Sequence, residues 1–267
     1  MNRIDKKFKE LRKAKRKAFI AFITAGYPSL KETYKLVLEL SKAGADIIEL
    51  GVPFSDPIAD GAVIQESSQA ALKKKINLID ILKLVKRLRR VSEIPICLMT
   101  YYNPVFCFGE EKFVKCAKAA GVDGIIIPDL LPEDGLQLIK LANKFQINNI
   151  LFISPTTRKA RMKYIANLSR GFIYYVSLTG TTGMRRNLAA DLKRNIKIIK
   201  GITSRPVCAG FGISTPQQVR EVSGICDGVI VGSAIVKKIK ENIKRPHLAK
   251  IVSKFVARFS ECIKKPD

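Results

Sequence analysis

Eight short apolar runs, separated by amphipathic segments in a chain of 267 residues, predict a single (β/α)8 TIM barrel spanning residues 1–267. Three observations carry that prediction. The runs are almost continuously apolar instead of alternating, which is the pattern of strands covered on both faces. They recur through the whole length, with no linker or low-complexity segment between them. Several of the intervening segments end in Gly just before the next run, as helices do at their C-caps. A doubly wound parallel sheet is the alternative fold.

The elements follow in order. Residues 2–16 read as an amphipathic helix preceding the barrel. The predicted strands are "FIAFITAG" (19–26), "DIIELG" (46–51), "PICLMTY" (95–101), "GIIIPD" (124–129), "NILFIS" (149–154), "GFIYYVS" (171–177), "PVCAGFG" (206–212) and "DGVIVGS" (227–233). The first helix between strands opens at Ser29, with Glu32 three residues on in capping-box spacing, and its apolar face is Tyr34, Leu36, Val37 and Leu40. The second unit is long, because "DGAVIQESSQAALKKK" forms an extra helix before the main one at 77–93. Further helices are expected over 110–122, 132–145, 158–169, 188–201 and 214–224, a short one after "VGSAIV", and a last one near His247.

Composition excludes several classes. No apolar run approaches the ~20 residues that span a bilayer. The basic N-terminal stretch is followed by an apolar run, Ala18 to Ile23, too short for a signal peptide. The expected address is the cytoplasm. The six cysteines show no paired ligand spacing and are expected to be buried reduced thiols. One histidine, His247, rules out a His-rich metal site; with no G-x-S-x-G elbow, acid–base work falls to Asp, Glu, Lys, Tyr or Cys. The net charge of +25 raises a nucleic-acid reading. Its lysines and arginines, however, are spread over many helix faces, and no nucleic-acid-binding motif is present, so no nucleic-acid partner is expected.

In such barrels the C-terminal strand ends and the loops after them build the site. Glu49 ends the second run, and Asp56 and Asp60 follow in a Pro-rich loop. Glu49 and Asp60 are therefore candidate catalytic carboxylates facing one pocket from different supports. The alternatives are that Glu49 pairs with a basic residue at the barrel mouth and that Asp56 or Asp60 caps the helix near Ala62. "AGFGIST" (209–215) and "VGSAIV" (231–236) follow the seventh and eighth runs, where barrels place phosphate sites, although such glycines also make plain turns. "SLTGTTGMRRN" (177–187) suits a lid or an ordinary surface loop. Phe22, Met99, Ile126, Phe152, Tyr174 and Phe211 lie on or just after separate runs and give an apolar wall.

Taken together, "FITAGYPS" (22–29), "ADIIELGVPFSDPIADG" (45–61), "IQ" (64–65), "GVDGIIIPDLLPE" (121–133), "TGTTG" (179–183), "GFGIS" (210–214) and "VGSAIV" (231–236) resemble the tryptophan synthase alpha subunit family over nearly the whole chain. The resemblance implies a lyase that cleaves indole-3-glycerol phosphate to indole and glyceraldehyde 3-phosphate. It places the general acid/base on Glu49 and the carboxylate balancing charge at the indole N–H on Asp60. Gly183, Gly212, Gly232 and Ser233 fall on its phosphate positions, and Phe22, Tyr174 and Phe211 on its indole positions. It also implies no metal or organic cofactor in this chain, and a pyridoxal-phosphate-dependent beta partner in an alpha2-beta2 heterotetramer. Asp56, near that partner in relatives, is then expected to serve communication between subunits. An activating subunit with little lyase activity of its own and a free-standing lyase are the competing expectations.

Overall fold

A computed structural model describes residues 1–176, 185–210 and 212–264. Eight parallel strands form a closed barrel: β1 (Ala18–Thr24), β2 (Ile47–Gly51), β3 (Ile96–Met99), β4 (Gly124–Ile126), β5 (Asn148–Ile153), β6 (Ile173–Val176), β7 (Val207–Gly210) and β8 (Gly228–Val231), with β8 returning to β1. These are the eight predicted runs with most of their ends trimmed, because the last residues of each run already turn into the loops at the mouth. Around them lie α1 (Arg3–Lys13), α2 (Leu30–Lys42), α3 (Ala62–Leu72), α4 (Leu78–Leu88), α5 (Tyr102–Phe108), α6 (Glu110–Ala120), α7 (Leu136–Lys144), α8 (Lys159–Leu168), α9 (Arg185–Ile202), α10 (Pro216–Ser223), α11 (Ser233–Glu241) and α12 (Leu248–Lys264). Helix α3 is the extra helix expected in the second unit.

Helix α1 buries Ile4, Phe8 and Leu11 on one stripe and exposes Lys6, Lys9, Arg12 and Lys13 on the other. Helix α4 does the same with Ile81, Val85 and Leu88 against Lys83, Lys86 and Arg87. On these two helices the excess charge sits on outward faces. At α2, Ser29 Oγ accepts the Glu32 N–H at 3.2 Å, as its position predicts. The other half of the expected capping box does not form, because the Glu32 carboxylate takes Lys35 Nζ at 2.7 Å instead.

Helix α5 was not expected. "YYNPVFCFG" lacks an amphipathic period and carries Pro104, but a proline in the first helical turn costs no intrahelical bond. The thiols divide. Cys97, Cys208 and Cys226 are buried and free as expected, whereas Cys107, on α5, is exposed.

The interior is organised by register. One hydrogen-bonded row runs Phe22, Glu49, Cys97, Gly124, Asn148 across β1 to β5. Because the strands tilt, this row descends from the mouth, where Phe22 lies, to the floor, where Asn148 donates to Asp5 of α1 at 3.1 Å. A second row runs Phe152, Tyr174, Cys208, Gly228, Ala18 across β5 to β1. Each row contains one glycine whose missing side chain admits a neighbour. A Cβ on Gly228 would come 2.7 Å from Cys208 Sγ.

Three aspartates do one repeated job at the floor. Asp46, Asp123 and Asp227 each accept a backbone N–H at the start of an adjacent strand, from Phe19, Ile96 and Val207 at 2.9–3.0 Å. Each also meets cations: Arg16 for Asp46, Arg3 and Arg89 for Asp123, Lys17 and Lys200 for Asp227. The most buried pair is Arg89–Asp123, at 2.6 Å with both side chains nearly enclosed. Arg89 also donates to the carbonyls of Gly121 and Ile94. Arg89→Ala leaves that carboxylate with Arg3 alone, and is expected to cost about 3 kcal/mol of stability in denaturant unfolding.

Candidate active site

Glu49 is the middle residue of β2, and its side chain points into the barrel. It is 1% exposed. Its Oε2 is buried with no hydrogen-bond partner among the described residues. Cys97, Cys208 and Tyr174 surround it closely enough to feel its charge. The basic partner that sequence left open is not what acts on it. Burial first, and the nearby Asp60 second, push its carboxyl up to about 8. At neutral pH Glu49 therefore holds its proton.

Asp60 comes from the loop after β2. Helix α3 begins at Ala62 with Gly61 as its N-cap and no side-chain cap bond, so Asp60 is not a capping residue. Its carboxylate takes a hydrogen bond from the Tyr101 hydroxyl instead. Burial raises Asp60 to about 6, with the Tyr101 bond pulling the other way. At neutral pH Asp60 is mostly ionised.

Tyr101 was missed by sequence reasoning. It is buried just past β3, and its hydroxyl also accepts the Ala59 N–H at 3.1 Å. Phe54 stacks on its ring at 5.1 Å between centroids. One tyrosine thus holds the loop at both ends and touches the carboxylate. The only local signal was an aromatic residue at the end of the third apolar run. Asp56, by contrast, is exposed and bonds Ser55 Oγ at 2.5 Å, shaping the loop away from the cavity.

A small cavity opens beside Asp60, lined by Phe22, Gly51, Asp60, Met99 and Tyr101 among others. Phe22 is fixed by two glycines. A Cβ on Gly51 would lie 2.6 Å from its ring, and one on Gly232 would lie 3.3 Å from its Cβ. Tyr174 packs against Phe152 at 4.8 Å, and its hydroxyl lies 2.7 Å from where a Gly210 Cβ would be. These rings form apolar walls suited to a flat aromatic group.

The glycine loops follow β7 and β8. Gly212 has φ +71°, a left-handed conformation that favours glycine. Gly232 caps α11, and both the Ile235 and Val236 N–H groups return to its carbonyl. The first N–H groups of that helix, at Ser233 and Ala234, have no intrahelical acceptor and suit an anion. Gly183, Phe211 and residues 177–184 of the expected lid at 177–187 lie outside the described residues. Among those described, no group of three or more His, Cys, Asp or Glu is disposed to hold a metal ion. No described helix is long and apolar enough to cross a membrane.

A family model for the tryptophan synthase alpha chain matches residues 8–264. The chain belongs to the tryptophan synthase alpha chain family. The alpha chain of Caldanaerobacter subterraneus is 48% identical over 98% of this chain and all of its own length. That of Geotalea uraniireducens is 47% identical over 99% of this chain and 98% of its own. The crystal structure of the alpha subunit from Legionella pneumophila superposes with a TM-score of 0.92 at 36% identity, covering 98% of each chain. Membership makes the chain a lyase of tryptophan biosynthesis, the alpha subunit that works with a beta subunit.

Proposed function

We propose that this single-domain chain cleaves indole-3-glycerol phosphate with Glu49 as general acid and base and Asp60 as the balancing charge. The observation that carries this assignment is a pair of neighbouring carboxyls in unlike surroundings: Glu49 is enclosed with its Oε2 unpartnered among the described residues, and Asp60 takes a hydrogen bond from Tyr101. Carboxyls pushed apart by their surroundings mark an acid and an anion. Glu49 gives its proton to indole C3, which turns the ring into an iminium cation at N1. Asp60 faces that developing charge. Glu49, now a carboxylate, takes the proton from the hydroxyl on the carbon attached to C3. The bond between that carbon and C3 breaks, its electrons return to the ring, and an aldehyde forms.

Phe22 and Tyr174 flank the indole in this reading, while Gly212, Gly232 and Ser233 hold the phosphate. Gly183 and Phe211 are assigned by family position alone. The chemistry needs only side chains, so no metal or organic cofactor is assigned to this chain; pyridoxal phosphate belongs to the beta partner. We assign the assembly as an alpha2-beta2 heterotetramer.

Docking is placed on the loops after β2, β3 and β4. They expose Ile58, Phe106 and Leu131 at 81, 64 and 59%. The loops are tied together where Ala59 N–H meets Tyr101 and where Tyr102 N–H meets Asp129 at 2.9 Å. Because Ile58 shares a loop with Asp60, docking there acts directly on the catalytic carboxylate. Ile58→Asp is expected to weaken association with the beta subunit at least about tenfold in sedimentation, by burying a charge in an apolar contact. The reading as a whole is tested by indole formation from indole-3-glycerol phosphate, by this chain alone and then with beta. Indole released with neither would overturn it; turnover in the lone chain that rises with beta is expected.

A further inference from the structure

Glu49 is shielded from above by the loop that carries Asp60. What shields it from below is not part of the reaction's own machinery. Its row continues downward to Cys97 on β3 and then to Gly124 on β4. Gly124 has no side chain, so at this level the wall has a gap. Three atoms converge on the point where its Cβ would stand: Ile150 Cδ1 at 2.8 Å, Ile4 Cδ1 at 2.9 Å and Cys97 Sγ at 3.1 Å. Ile150 belongs to β5, but Ile4 belongs to α1, outside the barrel.

Helix α1 is held so that this residue enters the floor. Asn2 caps it and also donates to the carbonyls of Asp123 and Gln146. Arg3 bonds Asp123 and Glu93, Asp5 accepts from Asn148, and Phe8 packs on Phe172 at 5.8 Å. Ile4 is fully buried. We propose that Ile4 is a positioning residue for the lyase step: it plugs the barrel floor beneath Cys97 and keeps water from reaching Glu49 from below.

The proposal rests on Glu49 being the proton donor, and deepens that reading. Burial is the largest influence on the Glu49 carboxyl. The titratable groups near it are Asp60, Tyr174, Cys97 and Cys208. Of these, Asp60 favours the protonated form of Glu49 and is kept in every variant, so a fall in the Glu49 midpoint reports the floor. From α1, Arg3 and Asp5 are engaged at the rim with Asp123, Glu93 and Asn148. Removing the plug lets water support the carboxylate, which lowers the pH at which Glu49 ionises.

The test compares Ile4→Val, which deletes only the atom meeting Cys97 and Gly124, with Ile4→Ala and with Arg3→Ala. The last weakens the anchoring of α1 without opening the floor. Two readouts are taken on the full chain: titration of Glu49 itself by carbon NMR of labelled glutamate, and the alkaline limb of the indole-forming rate. The Glu49 midpoint is expected to fall by on the order of one pH unit in Ile4→Ala and by less in Ile4→Val, with no shift in Arg3→Ala. An unmoved Glu49 titration in a folded Ile4 variant, or an equal shift in Arg3→Ala, overturns the plug. A Glu49 titration that moves while the rate limb stays in place instead overturns Glu49 as the donor, leaving the floor intact.

Discussion

Glu49→Gln lowers indole formation by on the order of a thousandfold while making the protein more stable at alkaline pH. The rate loss follows from removing the buried carboxylic acid, since a positioned acid–base group contributes about 10²–10⁴-fold. The amide keeps the shape of the side chain, so binding of the phosphate ester at Gly212, Gly232 and Ser233 is retained. The gain in stability follows from linkage. The folded Glu49 titrates at about 8 against an ordinary 4.5, so between those values the folded chain holds a proton that the unfolded chain has lost. Stability therefore falls as pH rises through this window, by up to about 5 kcal/mol for a shift of this size. Glutamine has no proton to lose and escapes that penalty. Urea unfolding at pH 5 and pH 8.5 measures it: the variant and the wild type converge at the lower pH and separate at the higher one. Equal stability at both would show that Glu49 is solvated.

Asp60→Asn is the second large effect. It removes the charge facing the iminium cation and is expected to lower turnover by on the order of 10²–10³-fold, as loss of one preorganised electrostatic contact does. It also carries a signature that a merely disruptive change lacks. Asp60 is one of the two influences raising Glu49, so without it Glu49 ionises at lower pH and the alkaline limb of residual activity moves down. Tyr101→Phe separates position from charge. The Tyr101 hydroxyl donates to the Asp60 carboxylate and holds Asp60 lower than burial alone would. Its removal raises the pH at which Asp60 becomes anionic, so the acid limb moves up. It also frees the Ala59 N–H from its acceptor, so the loop loses its anchor and KM rises with a smaller fall in kcat, about tenfold. Steady-state profiles of both variants check these opposite shifts.

The barrel and the strand that carries Glu49 were legible because their signals are local. Continuous apolarity marks a strand whatever its partners are, and Glu49 stands out as a carboxylate inside such a run. The residues that govern how Glu49 and Asp60 titrate were not legible, because their roles exist only after the barrel closes. Tyr101 reads as one more aromatic at a strand end until the loop after β2 folds across it. Ile4 reads as an apolar position on an amphipathic helix until Gly124 opens a gap that it fills. The aspartates Asp46, Asp123 and Asp227 lie far apart in the chain, and their common task appears only when each meets an N–H at the start of a neighbouring strand. The alternative of a cap at Asp60 does not form, for a related reason. Its sequence context suits a cap, but a tyrosine hydroxyl from the next unit offers its carboxylate a better-enclosed partner.

The pH dependence of kcat/KM for indole formation by the wild-type chain tests the division of labour between the two carboxylates most directly. Because they interact, the limbs report the pair. A bell is expected, rising through about 6 as Asp60 ionises and falling through about 8 as Glu49 loses its proton. A rate that stays level or keeps climbing well above the upper value would mean that Glu49 acts as an anion throughout, and would contradict its role as the acid.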